Sequence, residues 1–209
     1  MRIRPVSVLA SLTILGATFS SLSAQQSTPG ARLVRVEGRV TLNGQPVAAG
    51  APAATLSDVA DLQTTEGRAV IALKRGGTFV IGANTTARLH ANGIYNFNRI
   101  ELLAGSAVLL SASSSPVVVC GTEARLSSAG VFRFDVLSAE RVDGSQRCRI
   151  RVSEGGASTP GVSVSYVLRD GQEMVMNTRA GDMIPVNPTP AGALDDLDRW
   201  AREQAAVSR

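Results

Sequence analysis

Apolar and polar residues alternate in short runs through most of the chain, and Gly, Asn-Gly or Gly-Gly breaks interrupt the runs every several residues. A period of two puts successive side chains on opposite faces of a strand. Each run therefore predicts a strand with one buried face, and each break predicts a turn. Val34, Val36, Val40 and Leu42 share one parity around Gly38, which predicts a buried face interrupted by a bulge or a bend. Asn43-Gly44 takes positive φ cheaply at both positions and predicts a type I′ turn ahead of Pro46.

Further strands are predicted over Arg68–Leu73, Thr78–Ile81, Thr86–His90, Arg99–Leu103, Ser106–Ser111, Val117–Cys120, Glu123–Leu126, Val131–Leu137, Arg147–Val152 and Met183–Val186. Turns fall at Glu66-Gly67, Arg75-Gly76-Gly77, Gly82–Asn84, Asn92-Gly93 and Asp143-Gly144. Gly105 separates two strands, and Ser113–Pro116 separates the next two. Val162–Leu168 and Gln172–Met176 predict a hairpin around Asp170-Gly171. Many short strands with regular turns point to an all-β sandwich, barrel or solenoid, and no strict repeat chooses among the three.

The two ends depart from this pattern. Arg2 and Arg4 precede an uncharged apolar stretch, Val6–Phe19, and Ala24 follows at a cleavage-like Ser-Leu-Ser-Ala, so residues 1–24 are expected to be a signal peptide. That apolar core is shorter than the roughly 20 residues a spanning helix needs, so no transmembrane anchor is expected to be retained. Residues 25–31 read as a flexible leader. At the other end, Leu194, Leu197, Trp200 with Ala201, and Gln204 recur at helical spacing and predict an amphipathic helix over 192–207. Asp195, Asp196 and Asp198 lie in its first turns, where the helix dipole favours negative charge. Asp195–Arg199, Asp198–Arg202 and Arg199–Glu203 are placed to pair at i, i+4. A helix this short is marginal alone, so its stripe is expected to dock on the β body or on a partner. Leu194, Leu197 and Trp200 are the candidate docking surface.

Composition narrows the function classes. The formal charge of +4 includes Arg2 and Arg4, and the other basic residues are scattered singly with few aromatic neighbours. Nucleic acid is therefore not an expected partner. Aromatics are 4% of the chain, so the core must be built from Val, Leu, Ile and Ala. The 2 cysteines, Cys120 and Cys148, both sit in strand-like contexts. In an exported chain the simplest reading of such a pair is a disulfide. It would close a loop of about 30 residues and contribute roughly 3–4 kcal/mol. A single histidine, His90, is too little for a Cys/His zinc site or a Cys-His dyad.

The ordered motifs resemble the FecR domain, the periplasmic domain of the ferric-citrate regulator family. Its "V-x-G-x-V … G-x-x-V-x-x-G" opening is similar to Val36–Gly50, and its "T-x-x-G-x-A-x-L-x-L-x-x-G" segment to Thr65–Gly76. "N-T-x-x-x-L" is similar to Asn84–Leu89. "L-x-x-G-x-V" resembles Leu102–Val108 with one small residue extra, and "G-x-F-x-V … V-x-V-x-x-G" resembles Gly130–Val136 followed by Ile150–Gly155. Leu197-Asp198-Arg199-Trp200 resembles the "F-D-x-W" tail of exported members. The match covers about residues 34–185. It implies a solenoid-like all-β body over 32–187, with one short C-terminal helix, that acts as a non-enzymatic envelope signalling or interaction module. The expected partner is an envelope protein. A cell-wall glycan is the alternative, suggested by Asn and Thr on strand faces. The cytoplasmic anti-sigma segment and partner-binding αβ domain of the full regulators have no counterpart motif, so direct sigma-factor control is not expected.

Catalytic, metal and cofactor readings find little support. Ser153-Glu154-Gly155-Gly156 offers a nucleophile without a base, because His90 has no acidic neighbour in sequence. His90 is expected to be a satisfied strand-edge residue. Asp195, Asp196 and Asp198 lack the Gly and distal Glu of a calcium loop. Nothing in the sequence sets the separation of Glu66 and Glu101 as a glycosidase pair. Arg75-Gly76-Gly77 lacks the Lys-Ser/Thr of a phosphate loop. No catalytic residue, metal or cofactor is expected.

Overall fold

A computed structural model describes residues 31–73, 76–90, 99–112, 116–138, 145–160, 165–179, 182–185 and 187–207. The expected signal peptide, the leader up to residue 30, and the turns at Asn92-Gly93, Ser113–Ser115 and Asp143-Gly144 lie outside the described residues.

Among the described residues the chain is all-β with a single short C-terminal helix. The strands are β1 (Arg32–Leu42), β2 (Gln45–Val47), β3 (Ala54–Thr55), β4 (Val59–Ala72), β5 (Gly77–Ile81), β6 (Thr85–His90), β7 (Arg99–Ser111) and β8 (Pro116–Val119). They continue as β9 (Thr122–Leu126), β10 (Gly130–Ser138), β11 (Gln146–Glu154), β12 (Ala157–Pro160), β13 (Ser165–Leu168), β14 (Gln172–Arg179), β15 (Asp182–Pro185) and β16 (Thr189–Pro190), followed by the helix α1 (Asp196–Val207). Hydrogen bonds join all sixteen strands into one sheet, which does not close into a barrel. Every ladder is antiparallel except that of β7 with β8.

Three long strands act as spines and change partners along their length. β4 pairs with β6 through residues 59–64 and with β5 through residues 69–72. β7 pairs with β6 and β8 before Gly105, and with β5 and β10 from Gly105 onward. β1 follows β4 throughout. The sheet is thereby divided into two leaves. The first holds β5, β10, β11 and β14–β16 with one half of each spine, and the second holds β6, β8, β9, β12 and β13 with the other.

The crease between the leaves is made by glycine. Gly38 (φ 68°) crosses Gly67 so closely that a Cβ on Gly38 would stand 2.0 Å from the Glu66 carbonyl oxygen. Gly105 (φ 82°) lies against β6 in the same way, with Thr85 Oγ1 2.4 Å from a Cβ built there. Where strands change partners, backbone groups lose ladder bonds and need other partners. The buried Thr64 and Thr85 hydroxyls supply them. Thr85 N–H donates to Thr64 Oγ1 (3.0 Å), and Ser106 N–H donates to Thr85 Oγ1 (3.1 Å).

One apolar core lies between the leaves. The first leaf contributes Ile71, Phe79, Ile81, Leu109, Phe132, Phe134 and Ile150, and the second contributes Leu62, Leu89, Ile100, Leu102, Val117 and Val119. Full burial of each large side chain contributes about 1.5–3 kcal/mol. The Cys120–Cys148 disulfide joins the leaves, running from the turn after β8 to β11 across 28 residues of sequence.

Several expectations change. Gly67 and Gly105 do not end strands; β4 and β7 run through them. The parity predicted for β1 breaks at a register shift between Leu33 and Arg35. Leu33, Val36 and Val40 therefore face the core, while Val34 packs on the outer side of the sheet. The hairpin around Asp170-Gly171 does not form. β13 pairs with β12 and β14 with β11, so this turn carries the chain from one leaf to the other. The Asn43-Gly44 turn forms as predicted, with φ of 51° and 76°.

Candidate interaction site

The alternation of β10 and β11 sends Phe132, Phe134, Cys148, Ile150 and Val152 into the core. It sends Arg133, Asp135, Arg149 and Arg151 to the outer face of the first leaf. Arg133 stands opposite Arg151 in the ladder, and Asp135 opposite Arg149. Like charges directly opposed across a ladder repel, and Arg133 and Arg151 are each only 6% exposed. Asp198 of α1 relieves this by lying 3.4 Å from both guanidinium groups. Arg133 also meets Asp135 (2.8 Å) and Asp195 (2.7 Å), and Arg151 meets Glu173 (3.0 Å). Asp135 further accepts from Arg149 Nε and from the Ser106 hydroxyl (2.6 Å).

Burial alone would lower the pKa of Arg133. The hydrogen bond to Asp195 and the charges of Asp135 and Asp198 outweigh it, so the pKa is raised and the group stays cationic. Burial pulls the Asp195 carboxyl up, but the Arg133 hydrogen bond and the N–H groups of Asp198 and Leu197 pull it further down, to about 2.

The same acids start the helix. Asp195 Oδ1 accepts from the N–H groups of Leu197 (2.9 Å) and Asp198 (3.1 Å), while the Asp195 N–H donates to Asp198 Oδ2 (3.1 Å). This is a reciprocal N-cap of the capping-box kind. It explains why α1 begins at Asp196 rather than at residue 192. The expected i, i+4 pairs give way to other partners. Asp195 and Asp198 turn to the strands, Arg199 pairs with Asp196, and Arg202 reaches Glu154 (2.8 Å).

Behind the cap, Trp200 and Ala201 are buried on Val70, Val80, Val108 and Val131, with Leu197, Val34 and Leu110 at the margin. The Arg68 guanidinium lies 4.5 Å from the Trp200 ring centroid. Of the three proposed docking residues, Trp200 and Leu197 therefore rest on the body and Leu194 is exposed. Beside the helix N-terminus a cleft of about 560 Å³ opens over the crease, with Glu37, Glu66, Arg68 and Asp196 around it.

The outer face of the second leaf carries a cross-strand ladder. Asp61 on β4 faces Arg88 on β6, which faces Glu101 on β7. Arg88 Nε donates to Asp61 Oδ1 at 2.7 Å. That bond lowers the Asp61 pKa and raises that of Arg88. Arg99 pairs with Glu101 (3.0 Å), and Arg125 with Glu123 (2.7 Å). Val59 and Leu103 share the parity of Asp61 and Glu101 on this face, and Val167 lies on it at β13; all three are exposed.

His90 is on an interior strand between β4 and β7, not at an edge. Its Nε2 is 3.7 Å from Glu101 and makes no hydrogen bond among the described residues. Ser153 is on β11 of the other leaf, so the two do not form a dyad. Glu66 pairs with Arg39, and Glu101 with Arg99. Among the described residues no cluster of three or more His, Cys, Asp or Glu could hold a metal ion, and no helix is long and apolar enough to cross a membrane.

No protein-family model matches the chain, and no curated protein matches it. Two crystal structures are similar in part, each described as a "putative anti-sigma factor" from Parabacteroides distasonis. The first is 13% identical, covering 62% of this chain and 60% of its own, with a TM-score of 0.49. The second is 12% identical, covering 61% and 59%, with a TM-score of 0.48. The chain thus spans less than two thirds of either neighbour.

Proposed function

We propose that this chain is an exported, non-catalytic module of the FecR-domain type that binds an envelope protein through the outer face of its second leaf. The observation that carries the reading is the contrast between the two outer faces. The first is sealed by α1 over its valines and arginines. The second carries the Asp61–Arg88–Glu101 ladder beside the exposed Val59 and Leu103, and no helix lies on it among the described residues. Exposed ion pairs are worth at most about 1 kcal/mol each, so a partner of complementary charge can exchange them cheaply. Glycine where the family motifs have it, at Gly38, Gly67 and Gly105, supports the resemblance, because all three make one crease.

A glycan-binding role draws less support. Sugars stack on exposed aromatic rings, and among the described residues Phe79, Phe132, Phe134 and Trp200 are buried and Tyr166 is partly buried.

The test is mild cross-linking of the full chain in its envelope, with wild type beside Arg88→Glu. The expected result is a cross-linked partner with wild type that is reduced at least tenfold with Arg88→Glu. Undiminished recovery with the variant, or co-sedimentation with purified peptidoglycan in place of a protein adduct, contradicts the reading.

A further inference from the structure

β8, β9, β12 and β13 form a block inside the second leaf. Among the described residues its one ladder to the rest of the sheet is the parallel pairing of Ile100, Glu101 and Leu102 with Val117, Val118 and Val119. The other ladders of the block are internal. Parallel pairing is slightly weaker per residue than antiparallel, so this is a light attachment for four strands. Beneath the block lies the core, which Val117, Val119, Ala124, Leu126, Ala157 and Leu168 help to fill.

The second attachment is covalent. Cys120 is the first of two residues in the turn between β8 and β9, with φ of 49°, and Gly121 follows at 69°. Two positive φ values mark a type I′ turn, whose first position favours Asn, Asp or Gly. Cysteine there runs against the local preference, so its reason lies in the bridge to Cys148 rather than in the hairpin. Cys148 is fully buried on β11, whereas Cys120 is 8% exposed at the turn. Both ends are buried, and Cys120 is the end of the bridge nearer to solvent.

We propose that the Cys120–Cys148 disulfide is a redox-sensitive clamp, whose reduction by a dithiol frees the β8–β9–β12–β13 block and uncovers the core beneath it while the first leaf and α1 stay in place. A thiolate of the dithiol attacks Cys120 Sγ. The Cys120–Cys148 bond breaks, a mixed disulfide forms on Cys120, and Cys148 leaves as a thiolate that takes up a proton. The second thiolate of the dithiol then attacks its own partner sulfur in the mixed disulfide, and Cys120 leaves as the thiolate. The dithiol ends as a disulfide, and the cysteine pair is reduced by two electrons. The first leaf does not depend on the bridge for its outer seal, because α1 is held by Asp195, Asp198 and the Trp200 contacts.

The test is hydrogen exchange of the full chain, oxidised and after dithiothreitol, read strand by strand, with the emission of the single tryptophan, Trp200, reporting α1. Reduction is expected to lower amide protection in β8, β9, β12 and β13 at least tenfold, and to leave β5, β10 and the Trp200 emission unchanged. Unchanged protection in the block overturns the proposal. So does an equal loss in every strand with a red-shifted Trp200, which would make the bridge a staple of the whole fold. A second variant separates the turn from the bridge: Cys120→Asn with Cys148→Ala restores the residue type the turn favours. It should show the opened block without reductant, and protection equal to that of the oxidised chain would overturn the clamp.

Discussion

Asp198 shows how much one side chain organises here. It is 2% exposed, lies 3.4 Å from two buried guanidinium groups and closes the helix cap. Removing one partner of a buried ion pair costs up to about 3–5 kcal/mol. Arg133 keeps Asp135 and Asp195, and Arg151 keeps Glu173, so Asp198→Asn is expected to cost about 2–4 kcal/mol, read as a lower urea midpoint at unchanged slope. The glycines give a second contrast at this scale. A Cβ on Gly38 would meet the Glu66 carbonyl at 2.0 Å, whereas one on Gly44 would meet nothing within 4 Å. Gly44→Ala carries only the cost of a left-handed conformation, roughly 1–2 kcal/mol. Gly38→Ala must move the crease as well and is expected to fail to fold or to lose several-fold more stability by the same urea measurement. From sequence Gly38 could be read as a bulge or a bend, but its crossing with Gly67 could not. That contact is between strands, and nothing in either local pattern registers it.

At the scale of elements, α1 is expected to leave the body in acid. The folded-state pKa of Asp195 is lowered from 3.8 to about 2, so the stability it contributes is fully present above about 4 and is lost as pH falls toward 2. Trp200 emission should hold from pH 7 to 5 and shift red only below about 4; a red shift centred near pH 6 would contradict this assignment. The helix itself was legible in its stripe, and its apolar side does face the body. Its charges were not, because i, i+4 spacing says nothing of strand arginines 62 residues away, such as Arg133 from Asp195. The strands were legible as alternations, but their ends were misread wherever glycine marked a bend. Gly67 and Gly105 look like turn residues in sequence, yet β4 and β7 pass through them because ladders continue on both sides. The Asp170-Gly171 turn misled in the opposite way. Its turn chemistry is local, but which strands pair is decided by the leaf each apolar face must cover.

For the whole molecule, one sheet creased by glycine produces two unequal outer faces from one pattern of alternation. Val70, Val80, Val108 and Val131 line one face and require a cover, which α1 provides. Asp61, Arg88 and Glu101 line the other and require none. The candidate site was not legible in the sequence, because these three residues come from three strands and meet only through register. The most direct measurement is photo-cross-linking from single positions in the native envelope, with the probe replacing Val59 or Leu103 on the open face, or Glu203 on the helix. The account predicts a common protein adduct from Val59 and Leu103 and none from Glu203. Adducts from Glu203 alone, or from none of the three, would contradict it.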